Sequence, residues 1–114
     1  MEFSIFHFHI YFERIDKGKA EEIIEKIRLL DDLSIGRMWD KPVGPHPIGS
    51  CQITVPKESF ASMVEWFQLH RNGLDIFIHP VSGNDLKDHT DYVIWLGGSH
   101  KLNTKMFESS AAIN

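Results

Sequence analysis

One cysteine, Cys51, stands among the 114 residues, so no disulfide can form within the chain. A fold held without such staples suits a reducing compartment. No apolar run approaches the ~20 residues that span a bilayer. The N-terminal segment alternates histidine with aromatics where a leader peptide would be continuously apolar. A cytoplasmic protein with no membrane partner is therefore expected. Cations are few and scattered: twelve Lys and Arg against sixteen Asp and Glu leave a formal charge of -4, and the groups Arg14 to Arg28, Arg37 to Lys41 and Lys101 to Lys105 form no dense stripe. Nucleic acid is thereby excluded as a partner. No helical HExxH occurs, which disfavours a zinc hydrolase.

What the chain does have is histidine, seven times: His7, His9, His46, His70, His79, His89 and His100. Imidazole is the commonest metal ligand and titrates nearest neutrality, so where folding puts these rings matters. Phe3 to Phe12 alternates with period two. Phe6, Phe8, Ile10 and Phe12 fall on one face and Ile5, His7, His9 and Tyr11 on the other, as in a strand. Gly18 breaks that pattern, and Lys19 to Leu30 repeats Ile23, Ile24, Ile27 and Leu30 at helical spacing. A strand is predicted near Ser34 to Trp39. Asp40 to Gly49 is rich in proline and glycine and must be a loop. Ser50 to Val55 alternates again, with Cys51 on the apolar side as an inert thiol. Pro56 suits the first turn of a second helix reaching about His70, and Gly73 stops it. Leu74 to His79 is a strand ended by Pro80, Ser82 to Asp91 a loop, and Tyr92 to Leu96 a last strand.

This order predicts an α+β, ferredoxin-like split βαβ fold in which two helices cover one face of an antiparallel sheet. Residues 1–98 form the single domain and 99–114 a partly disordered extension. Burying about two-thirds of the unfolded surface suffices for a domain of this size, and a homodimer would add to it. The helix-free face collects His7, His9, Gln52, Thr54 and His79, and the stiff loop Val43-Gly44-Pro45-His46-Pro47 can carry His46 over it. Neutral imidazoles meeting there would bind iron or zinc, with a third histidine or a carboxylate, Asp85 or Asp88, completing the site. Asp88 and His89 form a candidate carboxylate–imidazole pair. Tyr11, Trp39 and Trp95 could line a pocket for a flat ring, whereas Phe6, Phe8, Phe60, Trp66 and Phe67 belong to the core. His70, at a helix C-terminus, and His100, after a glycine pair, carry no assigned role.

Five ordered blocks go further: His7-Phe8-His9-Ile10-Tyr11-Phe12, Pro42-Val43-Gly44-Pro45-His46-Pro47, His79-Pro80-Val81-Ser82-Gly83, Asp88-His89-Thr90 and Trp95-Leu96-Gly97. Together they resemble the DOPA 4,5-dioxygenase family. The resemblance implies an extradiol dioxygenase, often dimeric, that opens the ring of L-DOPA or a similar catechol with O2 at non-haem Fe(II), for which zinc can substitute in crystals. It implies metal ligation by His9, His46 and His79, and proton transfer by His7 and His89. Tyr11, Gln52, Ser82, Asp88 and Trp95 are expected to meet the substrate. The family pattern has Thr and Asp around the glycine of the third block, where this chain has Ser82 and Asn84. A non-catalytic ferredoxin-like dimer that binds a metal or small molecule is the competing expectation.

Overall fold

The computed structural model describes residues 2–30 and 33–108. Five strands form one antiparallel sheet in the order β2-β3-β1-β4-β5: β1 (Ile5–Phe12), β2 (Ser34–Trp39), β3 (Gly49–Pro56), β4 (Asp75–Pro80) and β5 (Ile94–Leu96). Helix α1 (Lys17–Leu30) links β1 to β2, and α2 (Phe60–His70) links β3 to β4. Each crossover skips one strand, giving the split βαβ arrangement that the element order predicted.

The two faces of the sheet differ in chemistry because the side chains alternate. Phe6, Phe8, Ile10 and Phe12 of β1 meet Ile53 and Val55 of β3 and Ile76 and Ile78 of β4 on one side. Ala20, Ile23, Ile24 and Ile27 of α1 and Met63 and Phe67 of α2 close over them. Phe8, Ile27, Ile53 and Phe67 are completely buried. This apolar layer supplies most of the folding free energy and fixes the strand register. The opposite face is thereby left to polar and aromatic side chains.

Several boundaries differ from the sequence reading. Gly18 lies inside the first turn of α1 and does not end the preceding element. A Cβ there would meet nothing within 4 Å, so the helix runs through it at only the entropic cost of glycine. Pro56 closes β3, and a 3-10 turn, Lys57–Ser59, precedes α2. The end of α2 matches the expectation: it stops at His70, followed by Asn72 and Gly73 with φ of 51° and 79°, the left-handed turn that commonly ends helices. β5 begins at Ile94, two residues later than expected, because only Ile94, Trp95 and Leu96 find partners on β4. Within the loop after Ser82, a short helix α3 (Asp85–Asp88) is capped by Asn84, whose Oδ1 accepts from the Lys87 amide at 3.1 Å. Asparagine caps as well as aspartate, so the departure from the family pattern costs this turn nothing.

Gly49 permits close packing of backbone beside the site. A Cβ there would sit 2.8 Å from Phe12 Cε2, 2.9 Å from the Phe12 carbonyl and 3.0 Å from the Trp39 carbonyl. Two of these neighbours are backbone and cannot swing away. Gly49→Ala should therefore lower unfolding free energy by about 1–3 kcal/mol, read as an earlier urea midpoint. An unchanged midpoint would mean that β1, β2 and β3 can spread at this point.

Candidate metal centre

The register of the sheet brings the histidines together. His7 on β1 pairs directly with His79 on β4, and His9 pairs with Gln52 on β3. His7 and His9 point to the same side because they stand two positions apart along a strand. His79 joins them from across the ladder. One ligand nitrogen from each of His7, His9 and His79 lies within 4.8 Å of the other two. The ring of His46 arrives over His9 with centroids 4.2 Å apart, held by a tight loop in which the His46 amide donates to the Val43 carbonyl at 3.0 Å. Gly44 takes φ of 55° in that turn, a conformation that glycine adopts without strain.

Hydrogen bonds settle the form of two rings. A carbonyl can only accept, so His79 Nδ1, 2.7 Å from the Pro80 oxygen, carries the hydrogen, and neutral His79 presents a bare Nε2. That Nε2 lies 3.1 Å from His9 Nε2. The pair is satisfied either by one hydrogen between them or by a cation that both nitrogens ligate. His89 Nδ1 likewise donates to the Asp85 carbonyl at 2.7 Å. A backbone carbonyl behind an imidazole is the usual device for aiming the other nitrogen at a metal. His46 Nδ1 instead shares a proton with the Tyr11 hydroxyl, 2.6 Å away.

Burial keeps this cluster neutral. It holds His9 far below the usual imidazole range, and the nearby His46 and His79 add to the effect. His79 falls to about 3, mainly through burial, against an opposing contribution from its bond to Pro80. His46 falls to about 4, again through burial first. His7, half-buried, is lowered by desolvation and by His89, while Asp88 pulls it back up. Burial raises the Tyr11 phenol above its ordinary range. Neutral imidazoles are the ligating form, so the donor set suits a divalent first-row metal. Cys51 stays out of this chemistry: buried on the core side, it is pushed up to about 11 by desolvation.

Aromatic rings wall the cluster. Phe77 stacks on His9 at 5.5 Å and on Trp95 at 4.7 Å, and Tyr11 meets Trp95 edge-on at 5.7 Å. On the β2–β3 side a cavity of about 330 Å³ opens beside His9 and His46, lined further by Arg37, Trp39, Ser50 and Gln52.

The Dopa 4,5-dioxygenase family model matches residues 6–106, which include every histidine of the cluster. The chain belongs to this family. A DOPA 4,5-dioxygenase of Amanita muscaria is 35% identical over 111 residues, covering 90% of this chain and 49% of the relative. An uncharacterised 21.2 kDa protein of Botryotinia fuckeliana is 31% identical over 104 residues, covering 81% and 57%. The chain thus spans about half the length of the curated relatives it matches. A candidate dioxygenase from Nostoc punctiforme, known from its crystal structure, superposes with a TM-score of 0.89 at 35% identity, covering 99% of this chain and 96% of that one.

Within this Dopa 4,5-dioxygenase family member, the expected site residues separate into groups. His9 and His79 stand together as expected, but His7, and not His46, completes the set of mutually close ligand atoms. No carboxylate joins that set among the described residues. Gln52 lines the cavity, and Tyr11 and Trp95 belong to the aromatic wall. The Asp88–His89 pair does not form. Neighbours on a helical turn point in different directions, so His89 turns to the Asp85 carbonyl while buried Asp88 accepts from the Ser82 amide at 3.0 Å and from its hydroxyl at 2.5 Å. Ser82 and Asp88 thus engage each other.

Three participants went unassigned in the sequence. Phe77 alternates with Ile76 and Ile78 and was legible as a residue of the helix-free face. His100 donates to Asp75 at 2.7 Å and meets Tyr11 and Trp95 edge-on and tilted. Phe107 stacks on His89 at 4.5 Å. Both lie beyond the boundary expected at residue 98, in a stretch with no periodicity to betray where it packs. Within the extension expected to be partly disordered, Glu108 ends a helical turn, and 109–114 lie outside the described residues.

The neutral cluster predicts a stability profile. Unfolded imidazoles titrate near 6.5, whereas His9, His46 and His79 stay unprotonated far below that when folded. Between these limits the unfolded chain binds more protons, so stability is full above pH 6.5 and falls as pH drops towards 4. At pH 5 the loss should reach about 2 kcal/mol per buried imidazole. Metal-free protein unfolded in urea at pH 7.5 and 5 would reveal it, and equal midpoints would contradict neutral burial.

Proposed function

We propose that this chain is an extradiol dioxygenase that opens the ring of a catechol such as L-DOPA with O2, using non-haem Fe(II) held by His7, His9 and His79. The observation that carries the reading is the convergence of those three ligand atoms within 4.8 Å of one another, beside a cavity large enough for a flat ring. Family membership supports oxygen chemistry over hydrolysis. Zinc could occupy the same nitrogens.

Bound iron would supply a Lewis-acid centre that holds diol and dioxygen side by side. The protein's own groups then do three things. Phe77, Trp95 and Tyr11 present a flat aromatic wall, with ring centroids 4.7 to 6.1 Å apart, that suits a catechol and sheds water. Neutral His46, with Tyr11 at Nδ1, can take up a catechol proton as a general base. His89, its ring set by the Asp85 carbonyl and by Phe107, can return a proton when the carbon–carbon bond beside the diol breaks. Both atoms of O2 end in the product, so no external reductant is required.

This allotment exchanges the roles that the sequence suggested for His7 and His46. His46 is disfavoured as a ligand because its nitrogens fall outside the close set. His7→Ala should weaken metal binding about 10–100-fold, measured by calorimetry under argon. His46→Ala should keep the metal and lose turnover by about 100-fold or more. The reverse pattern would return His46 to the metal.

The activity itself is tested by loading Fe(II) anaerobically and then admitting oxygen with L-DOPA. A yellow ring-opened product with one O2 consumed per catechol is expected. Metal bound without oxygen uptake for any catechol would leave a non-catalytic binding protein.

A further inference from the structure

The cavity beside His9 and His46 contains one charged side chain, Arg37, and no carboxylate among its lining residues. Arg37 owes this position to an irregularity in β2. Ile35 pairs with Ile53 and Met38 with Cys51, so Gly36 and Arg37 together stand opposite Gln52. That is a β-bulge, which re-aims side chains. Ile35 and Met38 both pack against the core; regular alternation would have put Arg37 on that same side, and the bulge turns it to the cavity side. The guanidinium lies 4.3 Å from the ring centroid of Trp39. Stacking on an aromatic face orients the guanidinium plane and leaves its N–H fork free for an anion. Among the described residues no carboxylate pairs with Arg37. Asp40, whose carboxyl the Arg37 charge helps to hold low, is bound by Lys17 at 2.8 Å.

Distance fits the same picture. His9 pairs with Gln52, and Gln52 faces the bulge, so Arg37 stands two strand spacings from His9, about 10 Å between backbones. An aromatic diol with a short acidic side chain spans that gap.

We propose that Arg37 is the specificity-determining residue of this cavity and that it selects catechols carrying a carboxylate and no ammonium group over catechol amines and amino acids. The inference rests on the proposed function for the catechol itself, but the charge preference belongs to the cavity. An arginine offers a bidentate hold on a carboxylate. An ammonium on the same side chain would find Arg37 as a like charge and no lining carboxylate to receive it.

The test is equilibrium binding to Fe(II)-loaded protein under argon, where no turnover can occur, with 3,4-dihydroxyphenylpropionate, L-DOPA, 4-ethylcatechol and dopamine as probes. The acid should bind tightest, L-DOPA more weakly, and dopamine no better than neutral 4-ethylcatechol. Arg37→Gln should weaken the acid about 10–100-fold and leave 4-ethylcatechol within twofold. Arg37→Lys should keep the acid ahead of dopamine while losing part of its advantage. Dopamine binding as tightly as the acid, or an acid affinity indifferent to Arg37→Gln, would overturn the proposal. Intact charge selection without oxygen uptake on aeration would instead count against the dioxygenase reading and leave this one standing. Arg37 is exposed at the cavity rim, so an unfolding midpoint matching wild type is expected for both variants.

Discussion

The pairing of β1 with β4 is the constraint from which the site follows. It sets His7 opposite His79 and brings His79 Nε2 to 3.1 Å from His9 Nε2. A slip of one residue would turn every side chain of a strand to the other face, sending the histidines into the aliphatic layer and the phenylalanines into water. The register is therefore guarded by the core. Phe8, Ile10, Ile53, Ile76 and Ile78 are wholly buried beneath the helices, and the free energy of that layer holds the imidazoles where hydrogen bonding alone would not. One strand thus carries both the source of stability and the residues that draw on it.

The second face accepts a cost in return. Burying imidazoles in their neutral form gives up protonation energy at mildly acid pH, and stacked rings of like polarity offer each other little. What offsets this is local: the Pro80 carbonyl accepts a hydrogen bond from His79 Nδ1, and the Tyr11 hydroxyl meets His46. The Pro80 carbonyl also chooses a tautomer. His79 is left with Nε2 as its only lone pair, which is the condition for acting as a ligand. Strain between stability and function of this kind is expected where a site needs desolvated donors.

Much of this was legible in the chain. Alternation from Phe3 to Phe12 and from Leu74 to His79 separates the two faces correctly, because a period of two is unambiguous when one set is Phe and Ile and the other is His. The prolines around His46 announced a fixed loop. What alternation cannot convey is reach. Whether His7 or His46 completes the ligand set depends on ring orientation, which leaves no mark on spacing. Asp88 and His89 looked like a pair only because they are adjacent, and adjacency on a helical turn separates side chains. Arg37 was hidden for the opposite reason. Simple alternation assigns it to the core side, and only the extra residue of the bulge brings it to the cavity.

The segment after Gly97 shows how far a site can extend past the last patterned element. Its residues have no periodicity, yet the His100 ring and the Gly98 amide both donate to Asp75, each at 2.7 Å, the Asn103 amide donates to the Pro45 carbonyl at 2.9 Å, and Phe107 covers His89. Each contact ties the tail to a residue beside the cluster: Asp75 on β4, the loop of His46, the ring set by α3. Asp75 receives two donors because Gly97 and Gly98 let the chain approach it closely; a Cβ on Gly97 would fall 2.5 Å from the Asp75 carboxylate. Such a segment adds little apolar burial of its own, so its order depends on the site that it covers. It covers the site in turn: Phe107 lies on His89 and His100 on Trp95. The family match likewise continues to residue 106, beyond the point where strand and helix periodicity end.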